Sequence, residues 1–246
     1  MRPLDVRNEA LRLVNAGLND CEIARRLDVP RTTIRDWRRP PYERRRPPAR
    51  CPRCGADSRP IVLEPESYAE LLGLYLGDGH ITRTARADRL RLFLDAKYPV
   101  VVNESEAILR TVLPANRVGR VVAEEGRMVV LYAYSSHLTC LFPQHGAGKK
   151  HERHIALEPW QHGLVDAAPW SFLRGCIRSD GCVFINRTGR YEYLSYSFHN
   201  LSQDILDLFE RTCLEVGLRP RRSRMYVRLN RRDDVAQLLA RVGTKR

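Results

Sequence analysis

Leu71-Leu-Gly-Leu-Tyr-Leu-Gly-Asp-Gly79 and Leu173-Arg-Gly-Cys-Ile-Arg-Ser-Asp-Gly181 are near-copies of one another. Each is mostly apolar, carries small residues four apart and ends in Asp-Gly. Residues i and i+4 stack along a helix, so Gly73 and Gly77 share a face, as do Gly175 and Ser179. Small side chains at that spacing let two helix backbones approach closely. If the two helices pack on each other, Asp78 and Asp180 emerge side by side at their ends. Two converging carboxylates in a strongly basic chain point to metal-assisted chemistry on a polyanion.

The context of the two segments repeats as well. After Asp78 come the alternating run Leu90-Arg-Leu-Phe-Leu-Asp-Ala-Lys97, a predicted helix over 104–113, a strand pair near 117–122 and 128–134, and the segment 136–142. After Asp180 come a strand over 182–186, a Thr188-Gly189 turn and a strand over 191–198. A helix over 201–216, a strand over 224–229 and a helix over 233–242 follow. Both halves read αββαββα. Lys97 lies 19 residues beyond Asp78, and His199 lies 19 beyond Asp180.

These paired segments resemble the LAGLIDADG motifs of homing endonucleases in their single-chain, two-repeat form. The first keeps its leucines, Gly73, Gly77 and Asp78-Gly79; the second keeps Leu173, Gly175, Ser179, Asp180 and Gly181. Leu76 and Arg178 stand at the first Asp of the family name, and Cys176 replaces a leucine. The resemblance spans about 65–246 and implies an α+β fold. Two four-stranded sheets would form a saddle along the DNA major groove, with both aspartates over the minor groove. It implies a site-specific DNA endonuclease in which Asp78 and Asp180 bind Mg²⁺ or Mn²⁺ for hydrolysis of both strands. Lys97 and His199 would complete the catalytic set as electrostatic or water-orienting groups. With both repeats in one chain, the saddle is expected to be a monomer.

The chain has 246 residues, with 42 Lys and Arg against 29 Asp and Glu, a net charge of +13. Such a surplus favours a polyanionic partner through phosphate neutralisation and counterion release. It is concentrated early: residues 1–60 hold 15 Arg against 8 acids, net +7. No apolar run approaches a membrane span, and the amino terminus does not lead into a signal core. A cytoplasmic, nucleoid-associated protein is expected. Seven cysteines without secretory context argue against a disulfide framework, and Cys21, Cys140, Cys176, Cys182 and Cys213 read as buried thiols.

Residues 1–39 read as a small all-α domain of three helices, over 6–16, 20–27 and 31–39. Gly17 closes the first helix, Asn19 with Glu22 forms a capping box for the second, and Pro30 precedes the third. Ile23, Ala24, Leu27, Val29, Ile34 and Trp37 fall where a helix-turn-helix packs. The stretch from Asp20 to Trp37 resembles the helix-turn-helix of bacterial regulators and recombinases, with Asp28 in place of the usual turn glycine. Arg31, Thr32 and Arg35 are then the residues facing DNA.

Residues 40–64 are rich in proline and arginine and read as a linker. Within them, Cys51-Pro-Arg-Cys54 has the shape of one half of a structural Zn²⁺ site, with His151 and His154 as the distant histidines able to complete it. Repeat 1 is assigned to 65–142, a basic inter-repeat loop to 143–168 and repeat 2 to 169–246. Lys149, Lys150 and Arg153 in that loop suit phosphate contacts. The loop lacks P-loop spacing, so no small-molecule cofactor is expected.

Double-stranded DNA is the expected partner. The rival to the endonuclease is a non-cleaving transcriptional regulator that joins a LAGLIDADG-derived domain to a helix-turn-helix. A third reading is an RNA-binding splicing helper on the same scaffold.

Overall fold

The computed structural model describes residues 4–38, 63–84 and 87–245. Cys51 and Cys54, and with them the expected zinc half-site, lie outside these residues, as does most of the linker. The chain divides into two units, one within residues 1–50 and one within 51–246.

The amino-terminal unit comprises α1 (Leu4–Asn15), α2 (Asp20–Leu27) and α3 (Arg31–Arg38). Ala10, Leu13, Ile23, Val29 and Ile34 form its core, with Ala24, Leu27 and Trp37 packed around them. The Asn19 side chain accepts from the amides of Cys21 and Glu22, and Glu22 accepts from the Asn19 amide. Asp28 takes the left-handed conformation (φ 49°, ψ 48°) that turns the chain from α2 towards α3. Arg31, Thr32 and Arg35 are exposed along one side of α3. Cys21 is exposed, correcting the expectation of a buried thiol; Cys182 in the second unit is exposed too, and Cys140 is half-buried.

In the second unit, α4 (Pro65–Asp78) leads into β1 (Gly79–Thr82), β2 (Asp88–Asp95), α5 (Pro99–Val112), β3 (Val118–Ala123), β4 (Met128–Ser135) and a short α6 (Leu138–Leu141). Then α7 (Pro159–Ala167) precedes α8 (Pro169–Asp180), β5 (Gly181–Thr188), β6 (Tyr191–His199), α9 (Gln203–Glu215), β7 (Arg221–Arg222), β8 (Tyr226–Leu229) and α10 (Arg232–Val242). Each half builds one antiparallel four-stranded sheet, in the orders β1-β2-β4-β3 and β5-β6-β8-β7. The expected αββαββα pattern is present in both halves.

Two elements depart from the sequence reading. Helix α5 begins at Pro99, five residues earlier than expected. Proline suits the first helical turn, and burial of Val101 and Val102 outweighs the low helix preference of a β-branched run. Helix α7 lies inside the segment read as an inter-repeat loop. It too starts at a proline, and the Glu158 amide donates to Gln161 Oε1 at 2.9 Å.

The core runs between the sheets and the helices that cover one face of each. Leu90, Leu92, Leu94, Leu131 and Ala133 point inward from the first sheet; Tyr196, Phe198, Val227 and Leu229 do so from the second. At its centre α4 packs directly on α8. A methyl group on Gly73 would sit 2.6 Å from the Phe172 carbonyl, and one on Gly175 would sit 2.1 Å from the Glu70 carbonyl. One on Gly77 would lie 2.1 Å from Ser179 Oγ. These are the small residues that the repeated segments share, and the contact confirms why they are small.

Candidate functional site

Asp78 and Asp180 close α4 and α8, and because those helices touch along their whole small-residue face, the two carboxylates end up together. A methyl on Gly77 would lie 2.9 Å from Asp180 Oδ2. Both aspartates are half-buried at helix carboxyl termini, where the last-turn carbonyls already concentrate negative charge. Burial, and then repulsion from Asp180, pushes the Asp78 carboxyl up to about 7. Asp180 is also raised, by burial; the 2.8 Å hydrogen bond it accepts from Asn200 Nδ2 opposes the rise.

Two ammonium groups answer this charge. Lys150 Nζ donates to the carbonyls of Tyr75 (2.5 Å) and Gly77 (3.0 Å) in the last turn of α4, and lies 5.0 Å from the Tyr75 ring centre. Lys245 Nζ donates to the carbonyl of Ser179 in the last turn of α8, at 2.5 Å. Gly77 and Ser179 are the residues immediately before the two aspartates. The charges act crosswise: Lys150 is held most strongly by Asp180, and Lys245 by Asp78. Burial lowers both amines, Lys150 to about 8.

Each lysine arrives from a segment that follows its own repeat. Lys150 ends Gly148-Lys-Lys150 and Lys245 ends Gly243-Thr-Lys245, and both glycines have positive φ (75° and 78°). The inter-repeat segment is pinned by a buried polar chain. Gln161 Nε2 donates to Tyr68 Oη (2.7 Å), and Gln144 Nε2 donates to Gln161 Oε1 (2.6 Å) and to the Ala156 carbonyl (2.8 Å). The tail is tied where Tyr196 Oη donates to the Gly243 carbonyl (3.2 Å) and Arg174 Nη2 to the Arg241 carbonyl (2.9 Å). Arg178, at the variable motif position, pairs with Glu70 across the helix contact and with Glu104.

The residues expected from sequence are distributed unequally. His199 and Asn200 share a shallow cleft with Asp180, Gly77, Lys150 and His151. Lys97 instead pairs with Asp95 at 2.9 Å, and both side chains are well exposed. Lys97 lies within electrostatic reach of Lys245, which faces Asp78. Gly79 pairs with Leu92 but Gly181 pairs with Phe198, so the second hairpin is longer. Lys97 therefore lies five residues past the strand partner, and His199 one. Of the three loop residues, Lys149 is exposed, Lys150 turns inward to the aspartates, and Arg153 braces the loop through the carbonyls of Gln144 (3.2 Å) and Gly148 (2.7 Å). His154 bonds Asp204 at 3.0 Å, and His151 approaches Glu152 at 3.8 Å. Lys245 was missed in the sequence; the shared Gly-x-Lys after each repeat was the signal that could have found it.

A divalent ion here would draw on two carboxylates and the helix-end carbonyls. The carbonyls of Gly77 and Ser179 each already accept from an ammonium group, and two lysines face two aspartates. Among the described residues, no three His, Cys, Asp or Glu side chains converge as a metal site. As arranged, the two ammonium groups repel an added divalent ion, and on that electrostatic ground the site as it stands is a poor fit for Mg²⁺ or Mn²⁺.

The faces of the sheets away from the core mix polar rows with apolar ones, Phe93, Val121 and Val130 on the first and Phe184 on the second. The first carries His80, Thr82, Arg89, Arg91, Tyr132 and Tyr134 in adjacent rows. The Arg89 guanidinium lies 4.8 Å from the Tyr132 ring centre, and Gly119 is small because Tyr132 lies over it. The second carries Asn186, Tyr193, Arg228 and Tyr226, with the Arg228 guanidinium 4.0 Å from the Tyr226 ring centre; Ser195 and Ser197 lie in the same rows but are buried. No described helix is long and apolar enough to cross a membrane.

A family model described as a homeodomain-like domain matches residues 4–39. No curated protein matches the chain. Among solved structures, the N-terminal LAGLIDADG domain of DUF199/WhiA aligns with a TM-score of 0.50 at 16% identity, over 76% of this chain and 87% of that one. I-DmoI in complex with DNA and Mn aligns with a TM-score of 0.51 at 12% identity, over 74% of this chain and 98% of that one. A mesophilic variant of the homing endonuclease I-DmoI gives 0.50 at 13%, over 73% and 96%. At such identities the likeness is one of fold. The second unit has the two-repeat LAGLIDADG fold, and a homeodomain-like helix-turn-helix precedes it.

Proposed function

We propose that the protein binds duplex DNA at specific sites and acts there as a regulator that does not cut. The observation that carries binding is the pair of outward sheet faces, each with an arginine stacked on a tyrosine: Arg89 on Tyr132 and Arg228 on Tyr226. Such faces combine phosphate attraction with donors for base edges. Arg31, Thr32 and Arg35 on α3 supply a second reading element, and the net charge of +13 supplies salt-dependent affinity. Lys149 suits a phosphate contact; Lys150 and Arg153 serve the site and its loop. Both repeats lie in one chain, which supports action as a monomer wherever the DNA is. The neighbouring I-DmoI structure, described with DNA, supports the same partner.

Metal-dependent cleavage is the second reading, favoured by the convergence of Asp78 and Asp180. The geometry weighs against it because both aspartates face resident ammonium groups, and no catalytic step through a metal is derived. Selection from a random duplex library in the presence of a chelator tests binding. Enriched sites whose affinity falls steeply with salt are expected; no enrichment at low salt would refute the proposal.

A further inference from the structure

We infer that Lys150 and Lys245 are resident counter-cations of the Asp78–Asp180 centre, standing where divalent ions would otherwise sit, and that removing them uncovers a metal site. The inference concerns the free protein and does not depend on what the sheets bind.

Three observations carry it. The first is position: the ammonium groups take the carbonyls of Gly77 and Ser179, which precede the two aspartates in equivalent places on α4 and α8. The second is duplication. Two unrelated stretches of chain deliver the same Gly-x-Lys with the same backbone sense at glycine, so a stray surface lysine is a poor explanation for either. The third is charge. Two helix carboxyl termini and two carboxylates meet in one half-buried place, and a cation is required there on electrostatic grounds. Two ammonium groups neutralise the aspartates, leaving little attraction for an added divalent ion. The groups facing Asp180 and Lys150 are His199, Asn200 and Arg153, while Cys182 and the Asp95–Lys97 pair lie toward Lys245. Asp95, the one anion among them, is paired with Lys97 at 2.9 Å.

The test is Mn²⁺ binding to the full chain without DNA, followed by electron paramagnetic resonance of free Mn²⁺ and by thermal unfolding. Wild type is expected to show no more Mn²⁺ uptake or stabilisation than Asp180→Asn. Lys150→Met with Lys245→Met keeps the aliphatic stems and removes both charges. It should bind Mn²⁺ at least about tenfold more tightly than wild type, and adding Asp180→Asn should abolish the gain. Wild-type binding that Asp180→Asn removes would overturn the inference, as would a folded double-methionine variant with no gain. If the double variant fails to fold, the wild-type comparison still decides, and Lys150→Gln alone should show a smaller gain of the same kind. DNA selection is unaffected by either result, so failure here is distinct from failure of the proposed DNA binding, while wild-type Mn²⁺ binding would remove the support for the non-cutting half of that proposal.

Discussion

Alanine at Gly175 sets two effects against each other that the structure allows to be weighed. Replacing a mid-helix glycine ordinarily stabilises a helix by about 1 kcal/mol. Here the new methyl would lie 2.1 Å from the Glu70 carbonyl oxygen, 2.9 Å from the Leu74 amide and 3.0 Å from the Glu70 carbonyl carbon. All three atoms are backbone, so no side-chain rotation relieves the clash. Relief requires α8 to retreat from α4 by about 1 Å, and a gap of that size forfeits a quarter to a half of the attraction between facing atoms. Overpacking of this kind costs about 3 kcal/mol or more, so the net loss is about 2–4 kcal/mol. The contrast is Gly163, inside α7, where an added methyl meets nothing within 4 Å. Gly163→Ala should stabilise by about 0.5–1 kcal/mol. Urea unfolding followed by far-ultraviolet circular dichroism and by the fluorescence of Trp160 and Trp170 measures both variants. Gly175→Ala within 0.5 kcal/mol of wild type (roughly the error of such a comparison) would refute the direct helix contact, and with it the reason the aspartates meet.

Further outcomes follow from the same structure. The Asp78 carboxyl, at about 7 when folded against an ordinary 3.8, binds its proton more tightly in the folded state. That contribution is fully present below about pH 4 and is lost as pH rises through about 7, on the order of 4 kcal/mol in all. In a chelating buffer Asp78→Asn should therefore overtake wild type in melting temperature as pH rises from 4.5 to 8 (roughly the span of that titration), and parallel profiles would count against the buried pair. Arg89→Ala and Arg228→Ala should each weaken binding to a selected duplex by about 1–3 kcal/mol, while Arg110→Ala, on α5, should leave it unchanged; equal affinities by mobility shift would remove the sheet faces from the interface. Asn19→Ala should destabilise the amino-terminal unit by about 1 kcal/mol, read as faster amide exchange in α2, with no change in exchange across α4 and α8.

The parts of this structure legible in the sequence are those fixed by local chemistry or strict spacing. Asn19 and Glu22 announce a capping box from four adjacent residues, and the small-residue pairs at Gly73, Gly77, Gly175 and Ser179 announce a helix contact before any partner is known. The start of α5 was hidden because Val100, Val101 and Val102 resemble a strand until the core into which two of them pack exists. The amphipathic signal of α7 is short, and the buried Gln161 that anchors it looks like a surface residue in sequence. Equal spacing of Lys97 and His199 does not give equal register, because chain distance is not strand register and the two hairpins differ in length. Lys150 is legible in the sequence as a basic loop residue, but its turn toward the aspartates, like that of Lys245, depends on the loop and the tail folding back on the helix ends, a long-range closure that no short window contains.

The central claim is a duplex-DNA-binding LAGLIDADG unit whose paired aspartates are neutralised from within. Its most direct measurement uses a selected duplex labelled on both strands, incubated with the full chain in chelator, in Mg²⁺ and in Mn²⁺, with retention and strand length read from the same samples. The account predicts binding in all three conditions and both strands intact, for wild type and for Asp180→Asn alike. Metal-dependent scission of both strands by wild type, absent from Asp180→Asn, would contradict it.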